Sequence, residues 1–257
     1  MQNKCLACGS EEIINCGKPE LQDQNSKFKV IECKKCKLQW SLPMPSEDEL
    51  YLHYSTYYNR RFKRIFKTSL KYLRDLLTLK EVRERLFLKK TMEYTKVQNF
   101  LDYGCGEGEM LLIGKKFRWN CTGVEYSKEL SDKFFRLGIN VVVATDFESS
   151  TLEKGSYDLI LLKHLIEHIK DIPSFLEQTK KYLSNGGVLA IKTPSNTSLR
   201  AKTKTAKWHF VNPPEHLWSF NTVNFKLLLE SIGFEVLMIK NSLLVDELIC
   251  YAKVKIL

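Results

Sequence analysis

The chain has 257 residues, with 40 Lys or Arg against 30 Asp or Glu and a formal net charge of +10. That length holds one full catalytic domain and a small accessory one. With no secretory signal and no apolar run approaching ~18 residues, membrane-spanning classes are excluded and a cytoplasmic location is the expectation.

Residues 1–42 read as a zinc ribbon. Cys5-Leu-Ala-Cys8 and Cys33-Lys-Lys-Cys36 are two C-x-x-C pairs with 24 residues between them. Each pair can turn as a knuckle that presents two thiolates, and two knuckles complete one tetrahedral Zn²⁺ site. A segment of roughly 40 residues buries little core, so a metal would supply folding energy it otherwise lacks. Four Cys ligands close the coordination shell, which makes the metal structural. Two disulfides, or reduced thiols in a disordered leader, are the competing readings. Cys16, Cys105, Cys121 and Cys250 are scattered and read as small apolar fillers.

Residues 43–95 read as a basic helical neck or lid. Pro43-Met-Pro45 breaks the chain, and Ser46-Glu-Asp-Glu49 reads as a capped, acidic helix start. Tyr54, Tyr57 and Tyr58 follow. Residues 60–96 carry thirteen Lys or Arg against four Asp or Glu, a net +9. Phe62, Ile65, Phe66, Leu70, Leu73, Leu76 and Leu77 recur at helical spacing. Such a basic face attracts phosphate-bearing substrates, nucleic acid or an anionic membrane surface. A merely solvated Lys-rich face is the plainer alternative. A second basic cluster, Arg200, Lys202, Lys204 and Lys207, comes later in the chain.

From residue 96 onward, short apolar runs alternate with helical stretches, which argues for a doubly wound α/β sheet of parallel strands. Phe100-Leu-Asp102-Tyr-Gly104-Cys-Gly106-Glu-Gly108 is a strand end running into glycines at alternate positions. Glycine is needed where backbone takes positive φ or lies directly against a ligand. The spacing is G-x-G-x-G, not the G-x-G-x-x-G that fits a dinucleotide pyrophosphate. Cys121-Thr-Gly-Val-Glu125 is a second strand ending in a carboxylate, which can accept both hydroxyls of a ribose. Val141-Val-Val-Ala-Thr-Asp146-Phe147, Tyr157-Asp-Leu-Ile-Leu-Leu162 and Val188-Leu-Ala-Ile-Lys192 supply three more, the last after Gly186-Gly187. Gly233 to Ile239 and Leu248 to Ile256 would close the sheet.

In that order the pieces resemble the class I S-adenosylmethionine (SAM) methyltransferases over residues 96–257. The resemblance implies a seven-stranded Rossmann-like methyltransferase sheet. It implies SAM bound by Asp102, Gly104, Gly106, Gly108, Glu125, Asp146, Phe147 and Lys163, with the adenine held at Asp146-Phe147. It also implies that Tyr54, Tyr57 or Tyr58 folds over the pockets; ordinary packing is the alternative.

Methyl transfer is an in-line displacement, so the protein must align donor and acceptor and remove a proton where the acceptor is a hydroxyl. His164 and His168 follow the fourth of these strands, where class I enzymes place substrate-facing groups. His209 and His216 lie in the stretch Trp208 to Asn221, whose Pro-Glu-His-Leu core also resembles the family. His164, His168 and His216 are therefore the candidate catalytic residues, since imidazole titrates near neutrality. His53 is assigned nothing. His164-x-x-Glu167-His168 with His216 is also similar to the metal site of small-RNA 3′-end methyltransferases, with His164 in place of a Glu. On a helix, residues i, i+3 and i+4 would share one face; hydrogen-bonding and packing roles are the alternative. The overall organisation resembles bacterial sugar and small-molecule methyltransferases of surface-glycan and natural-product pathways. It implies methyl transfer to O or N of a small anionic, nucleotide- or phosphate-bearing precursor. Two other readings stand: an RNA methyltransferase that binds through ribbon and neck, and a SAM-binding regulator without turnover.

Overall fold

The computed structural model describes residues 4–17, 27–50, 52–53, 79–126, 139–144, 151–197, 213–242 and 245–255. Tyr54, Tyr57, Tyr58, the apolar stripe of residues 62–77, Asp146, Phe147, Arg200, Lys202, Lys204, Lys207 and His209 lie outside the described residues. In chain order the elements are β1 (Ile13–Asn15), β2 (Lys29–Cys33), β3 (Gln39–Leu42), α1 (Lys80–Thr91), β4 (Asn99–Tyr103), α2 (Glu109–Lys116), β5 (Asn120–Glu125), β6 (Asn140–Val143) and β7 (Tyr157–Lys163). A 3-10 turn at Ile166–His168 follows, then α3 (Ile172–Tyr182), β8 (Leu183–Pro194), β9 (Trp218–Ser219), α4 (Thr222–Ser231), β10 (Phe234–Asn241) and β11 (Glu247–Val254).

Seven strands form one sheet in the order β10-β11-β8-β7-β4-β5-β6. Strand β5 pairs parallel with both β4 and β6, whereas β10 and β11 pair antiparallel. The sheet is therefore mixed, where alternation alone suggested parallel strands throughout. The reason is connection length. Only residues 242–246 join β10 to β11, and parallel neighbours need a crossover of a dozen or more residues.

The chain divides into two compact units. One comprises Tyr51–Leu161 and Lys181–Val188. Its β4 is buried at Phe100 and Leu101, and α2 buries Met110, Leu111 and Ile113. Each such side chain, fully buried, stabilises by roughly 1.5–3 kcal/mol. Trp119 closes the far end, edge-on to Phe100 with ring centroids 5.7 Å apart. Close approach of helix to strand requires Gly123: a Cβ there would stand 2.8 Å from both Cys105 Sγ and Leu111 Cδ1. Burial pushes the Cys105 thiol well above its ordinary range, so it stays neutral and packs as an apolar group.

The other unit comprises Met1–Leu50, Leu162–Lys180 and Leu189–Leu257. Its four-stranded sheet, β1-β2-β3-β9, joins the N-terminal ribbon to a strand from much later in the chain. The β3–β9 register sets Gln39 opposite Ser219 and Trp40 opposite Trp218. Leu38, Trp40, Leu217, Trp218 and Phe220 are all buried, so the ribbon does not have to make a core by itself. Helix α4 starts with a capping box, in which the Asn221 side chain accepts from the Val223 and Asn224 amides and Asn224 Oδ1 accepts from the Asn221 amide. Helix α4 then buries Phe225, Leu228 and Leu229.

Candidate active site

Asp102, Gly104, Gly106, Gly108 and Glu125 all fall in the unit containing residues 51–161. Strand β4 places buried Asp102 opposite Gly123 of β5. The chain then leaves the sheet, with the Gly104 and Cys105 amides both donating to the Val124 carbonyl at 2.9 and 3.0 Å. Gly104, Gly106 and Gly108 all have positive φ, and Gly108 forms the N-terminal boundary of α2. Gly106 carries the requirement furthest. Its φ is +51°, its amide donates to Glu125 Oε2 at 2.7 Å, and a Cβ built there meets nothing within 4 Å. Among the described residues nothing covers this side of the loop, so backbone would lie directly against whatever binds. Glu125 is buried and its Oε1 accepts from the Tyr126 amide at 2.9 Å. A carboxylate has about four lone-pair sites, so each oxygen keeps acceptor capacity for a ribose hydroxyl. These residues fit a nucleoside cofactor.

His164, Glu167, His168 and His216 lie in the other unit. His164 does not share a helix face with Glu167 and His168. It sits in the left-handed region, φ +50°, before a 3-10 turn that is only three residues long. Such a conformation costs on the order of 1–3 kcal/mol in a non-glycine residue and persists where its surroundings over-determine it. Here the His164 amide donates to the Lys192 carbonyl at 2.8 Å, and the ring is held between two carboxylates. His164 Nε2 lies 3.1 Å from Glu247 Oε1, and Nδ1 lies 3.5 Å from Glu167 Oε1. Carboxylates only accept, so a neutral ring would turn a lone pair on one of them. Both nitrogens therefore carry protons. Burial opposes the charge, but the two carboxylates outweigh it and raise the His164 pKa to about 9.

Glu167 is 1% exposed. Burial would raise its pKa, but the neighbouring imidazoles, His164 first, bring it down to about 2. Thr193 Oγ1 donates to its Oε2 at 3.0 Å. Its Oε1 faces His164 Nδ1 at 3.5 Å and His168 Nε2 at 3.9 Å. His168 Nδ1 stands 2.8 Å from the Glu215 carbonyl. That oxygen can only accept, so Nδ1 carries the hydrogen. The lone pair of the neutral ring is then on Nε2, and burial lowers the His168 pKa, which favours this form. His216 stands edge-on to His168, ring centroids 4.7 Å apart. One donor atom from each of Glu167, His168 and His216 falls within a 4.8 Å group, a spacing that could hold a cation.

Glu247, Lys192 and Thr193 belong to this cluster and were not singled out from sequence. Buried Lys192 lies 3.5 Å from Glu247 Oε2. Burial opposes ionisation of Glu247, yet His164, Lys192 and Lys163 hold its pKa down to about 2. Lys163 thus contributes charge to the histidine cluster. One signal for Lys192 was available: a lysine ending the apolar run Val188-Leu-Ala-Ile is out of place unless it is paired.

The four ribbon cysteines come together. Cys5 and Cys36 Sγ are 3.4 Å apart, Cys8 and Cys33 Sγ 3.6 Å, and all four lie within 4.8 Å of one another. A disulfide would need an S–S distance of about 2.05 Å. Four sulfurs at ~2.3 Å from one zinc ion stand roughly 3.8 Å apart, so the donor set fits a tetrahedral ion. Burial pushes the Cys5 thiol up to about 11 and Cys36 further still. At Cys33 burial is outweighed by the backbone amides of Cys36 and Lys35, which bring the thiol to about 7.

Residues 40–239 match the Methyltransf_23 family of methyltransferase domains, and the chain belongs to that family. It is 25% identical over 163 residues to ajmaline N-methyltransferase of Rauvolfia serpentina, covering 56% of this chain and 54% of that one. To phosphoethanolamine N-methyltransferase 1 of Arabidopsis thaliana it is 28% identical over 148 residues, 52% of this chain and 29% of that one. The chain thus spans about half or less of these curated relatives. The fold is shared with an S-adenosylmethionine-dependent methyltransferase from Clostridium acetobutylicum, at a TM-score of 0.56 and 14% identity over 77% of this chain and 99% of that one. No helix among the described residues is long and apolar enough to cross a membrane.

Proposed function

We propose that the protein is a SAM-dependent methyltransferase that methylates O or N of a small phosphate- or nucleotide-bearing metabolite or glycan precursor. The observation that carries the reading is the open loop at Gly104, Gly106 and Gly108, tied through the Gly106 amide to Glu125. SAM would lie against this loop with its ribose on Glu125, supported by Asp102 and, outside the described residues, by Asp146 and Phe147. The cofactor supplies an activated methyl group; what remains for the chain is positioning and proton removal. His216 is the base, with His168 edge-on beside it and the Glu167 carboxylate stabilising the imidazolium that forms. His164 acts differently from either. With both ring nitrogens protonated it is a fixed cation and a positioning residue, which ties Glu167 to Glu247. Zn²⁺ at Cys5, Cys8, Cys33 and Cys36 is structural, since four thiolates leave no open position.

A small acceptor is supported by the relatives, one of which is named for a phosphorylated amine. An RNA acceptor would instead be drawn by the basic neck, net +9 over residues 60–96. The test is methyl-labelled SAM incubated with a size-fractionated cell extract. Label in a nuclease-resistant small-molecule fraction is the expected result. Label in a nuclease-sensitive macromolecular fraction would replace this reading with RNA methylation, and SAM binding without label transfer would replace it with a cofactor-binding regulator.

A further inference from the structure

We infer that the four-cysteine clip is a positioning device for the histidine cluster: the ion it holds sets where Glu167 and His216 stand, and does so without altering the cofactor loop. The inference rests on the proposed metal at the clip and the proposed role of His216. The path starts at the second knuckle. The Cys36 carbonyl accepts from the side-chain amides of both Asn221 and Asn224, each at 3.1 Å. These are the two residues of the α4 capping box, and both are buried. Their NH₂ groups need an acceptor inside the protein, and the carbonyl of a cysteine ligand supplies it. One residue further, the Lys37 carbonyl accepts from Asn196 Nδ2 at 3.0 Å. The start of α4 and the loop after β8 are therefore both tied to the knuckle.

From the knuckle the chain runs directly into β3. The Ser41 amide donates to the Leu217 carbonyl at 2.9 Å, and the Leu217 amide donates to the Glu167 carbonyl at 2.8 Å. Leu217 is thus a single-residue bridge, with its carbonyl on the ribbon and its amide on the turn that bears Glu167. His216 is its covalent neighbour. On the far side Trp218 Nε1 donates to the Ile169 carbonyl at 2.8 Å, holding the other end of the same turn. Ribbon strand, Leu217 bridge and 3-10 turn form one hydrogen-bonded path inside a single compact unit, while Gly106 and Glu125 belong to the other. An unclipped knuckle loses its tether at Cys36, and the displacement passes along β3 to Leu217. Packed elements transmit such shifts because they do not deform continuously.

The full-length protein is compared as loaded with Zn²⁺, after chelation under reductant, and as the variants Cys33→Ser and Asn224→Ala. Four readouts are taken: bound metal, SAM affinity by calorimetry, imidazole Cε1–H chemical shifts by NMR, and label transfer from methyl-labelled SAM to the small-molecule fraction of a cell extract. Stripping the metal is expected to move the His168 and His216 signals and to lower label transfer tenfold or more, while the SAM Kd changes less than threefold. Asn224→Ala should keep its metal and still move the same two signals, which separates positioning from metal loss. Unmoved histidine signals in stripped protein would overturn the inference and leave the proposed function standing. So would a SAM Kd that collapses together with the histidine signals, since the clip would then merely hold the whole fold. A chain that takes up no Zn²⁺ overturns both this inference and the metal assignment it rests on.

Discussion

The glycine loop proposed to hold the cofactor and the histidine cluster are built on opposite plans. In the loop the parts are almost contiguous, residues 102–125, and the contacts are made by backbone: three positive-φ glycines and amides that meet one carboxylate. In the cluster the parts come from four distant segments, at residues 163–168, 192–193, 215–216 and 247, and side chains make most of the contacts. A backbone cradle tolerates little substitution but is fixed by local geometry. A side-chain cluster depends on everything that brings its segments together.

The sharpest way to break this contrast is at Gly106. Gly106→Val places a β-branched residue at φ +51°, a conformation such residues rarely adopt. SAM binding by calorimetry should become undetectable while circular dichroism shows a folded chain. Retained affinity would mean that the loop is not the cradle. Second in size, His216→Ala should lower methyl transfer by roughly 10²- to 10⁴-fold, the usual worth of a general base. Its SAM Kd should stay unchanged, and a parallel loss of affinity would merge what are here two separate functions. Third, Gly123→Val forces a Cβ to within 2.8 Å of Cys105 and Leu111. It should cost about 1–3 kcal/mol in urea unfolding, and a neutral result would show that α2 can move off the sheet.

The smallest effect concerns pH. The pKa of His164 is raised from 6.5 to about 9 by Glu167 and Glu247, so its stabilisation is complete below pH 6.5 and is lost as pH rises through 9. Glu167 and Glu247 are lowered from 4.5 to about 2, so theirs is present above pH 4.5 and is lost as pH falls towards 2. The thermal midpoint of unfolding should therefore fall on both sides of a plateau between these limits. The His164 ring is 39% exposed and screened by water, which keeps the alkaline limb shallow. Glu247→Gln should move that limb to lower pH; an unchanged limb would remove His164 as its source.

The same contrast explains what could be read from sequence. The order of the strands and the glycine turn after β4 were legible because each signal is local: an apolar run, an acidic end, glycines at fixed spacing. The convergence of the four cysteines was legible too, because C-x-x-C is a local device repeated. The antiparallel entry of β11 is a matter of connection length, which a list of apolar runs does not weigh. The left-handed turn at His164 has no sequence marker, since no glycine stands there, and it dissolves the helix face that the spacing of Glu167 and His168 suggests. Glu247 opens an ordinary strand, and only the fold discloses that it meets His164. Asn221 and Asn224 read as a helix start at most, and nothing in their spacing points to the Cys36 carbonyl some 185 residues away.

The pairing of β3 with β9 has a consequence during synthesis. Gln39 waits for Ser219, about 180 residues later, which takes roughly 10–40 s at ribosomal speed. For that interval the knuckles are complete but one edge of the nascent sheet has no partner. Unpaired edges of this kind invite pairing with other chains. Here the exposed edge is short, four residues, and is followed at once by Pro43, a residue that discourages a passing strand from adding on while the proper one is still being made.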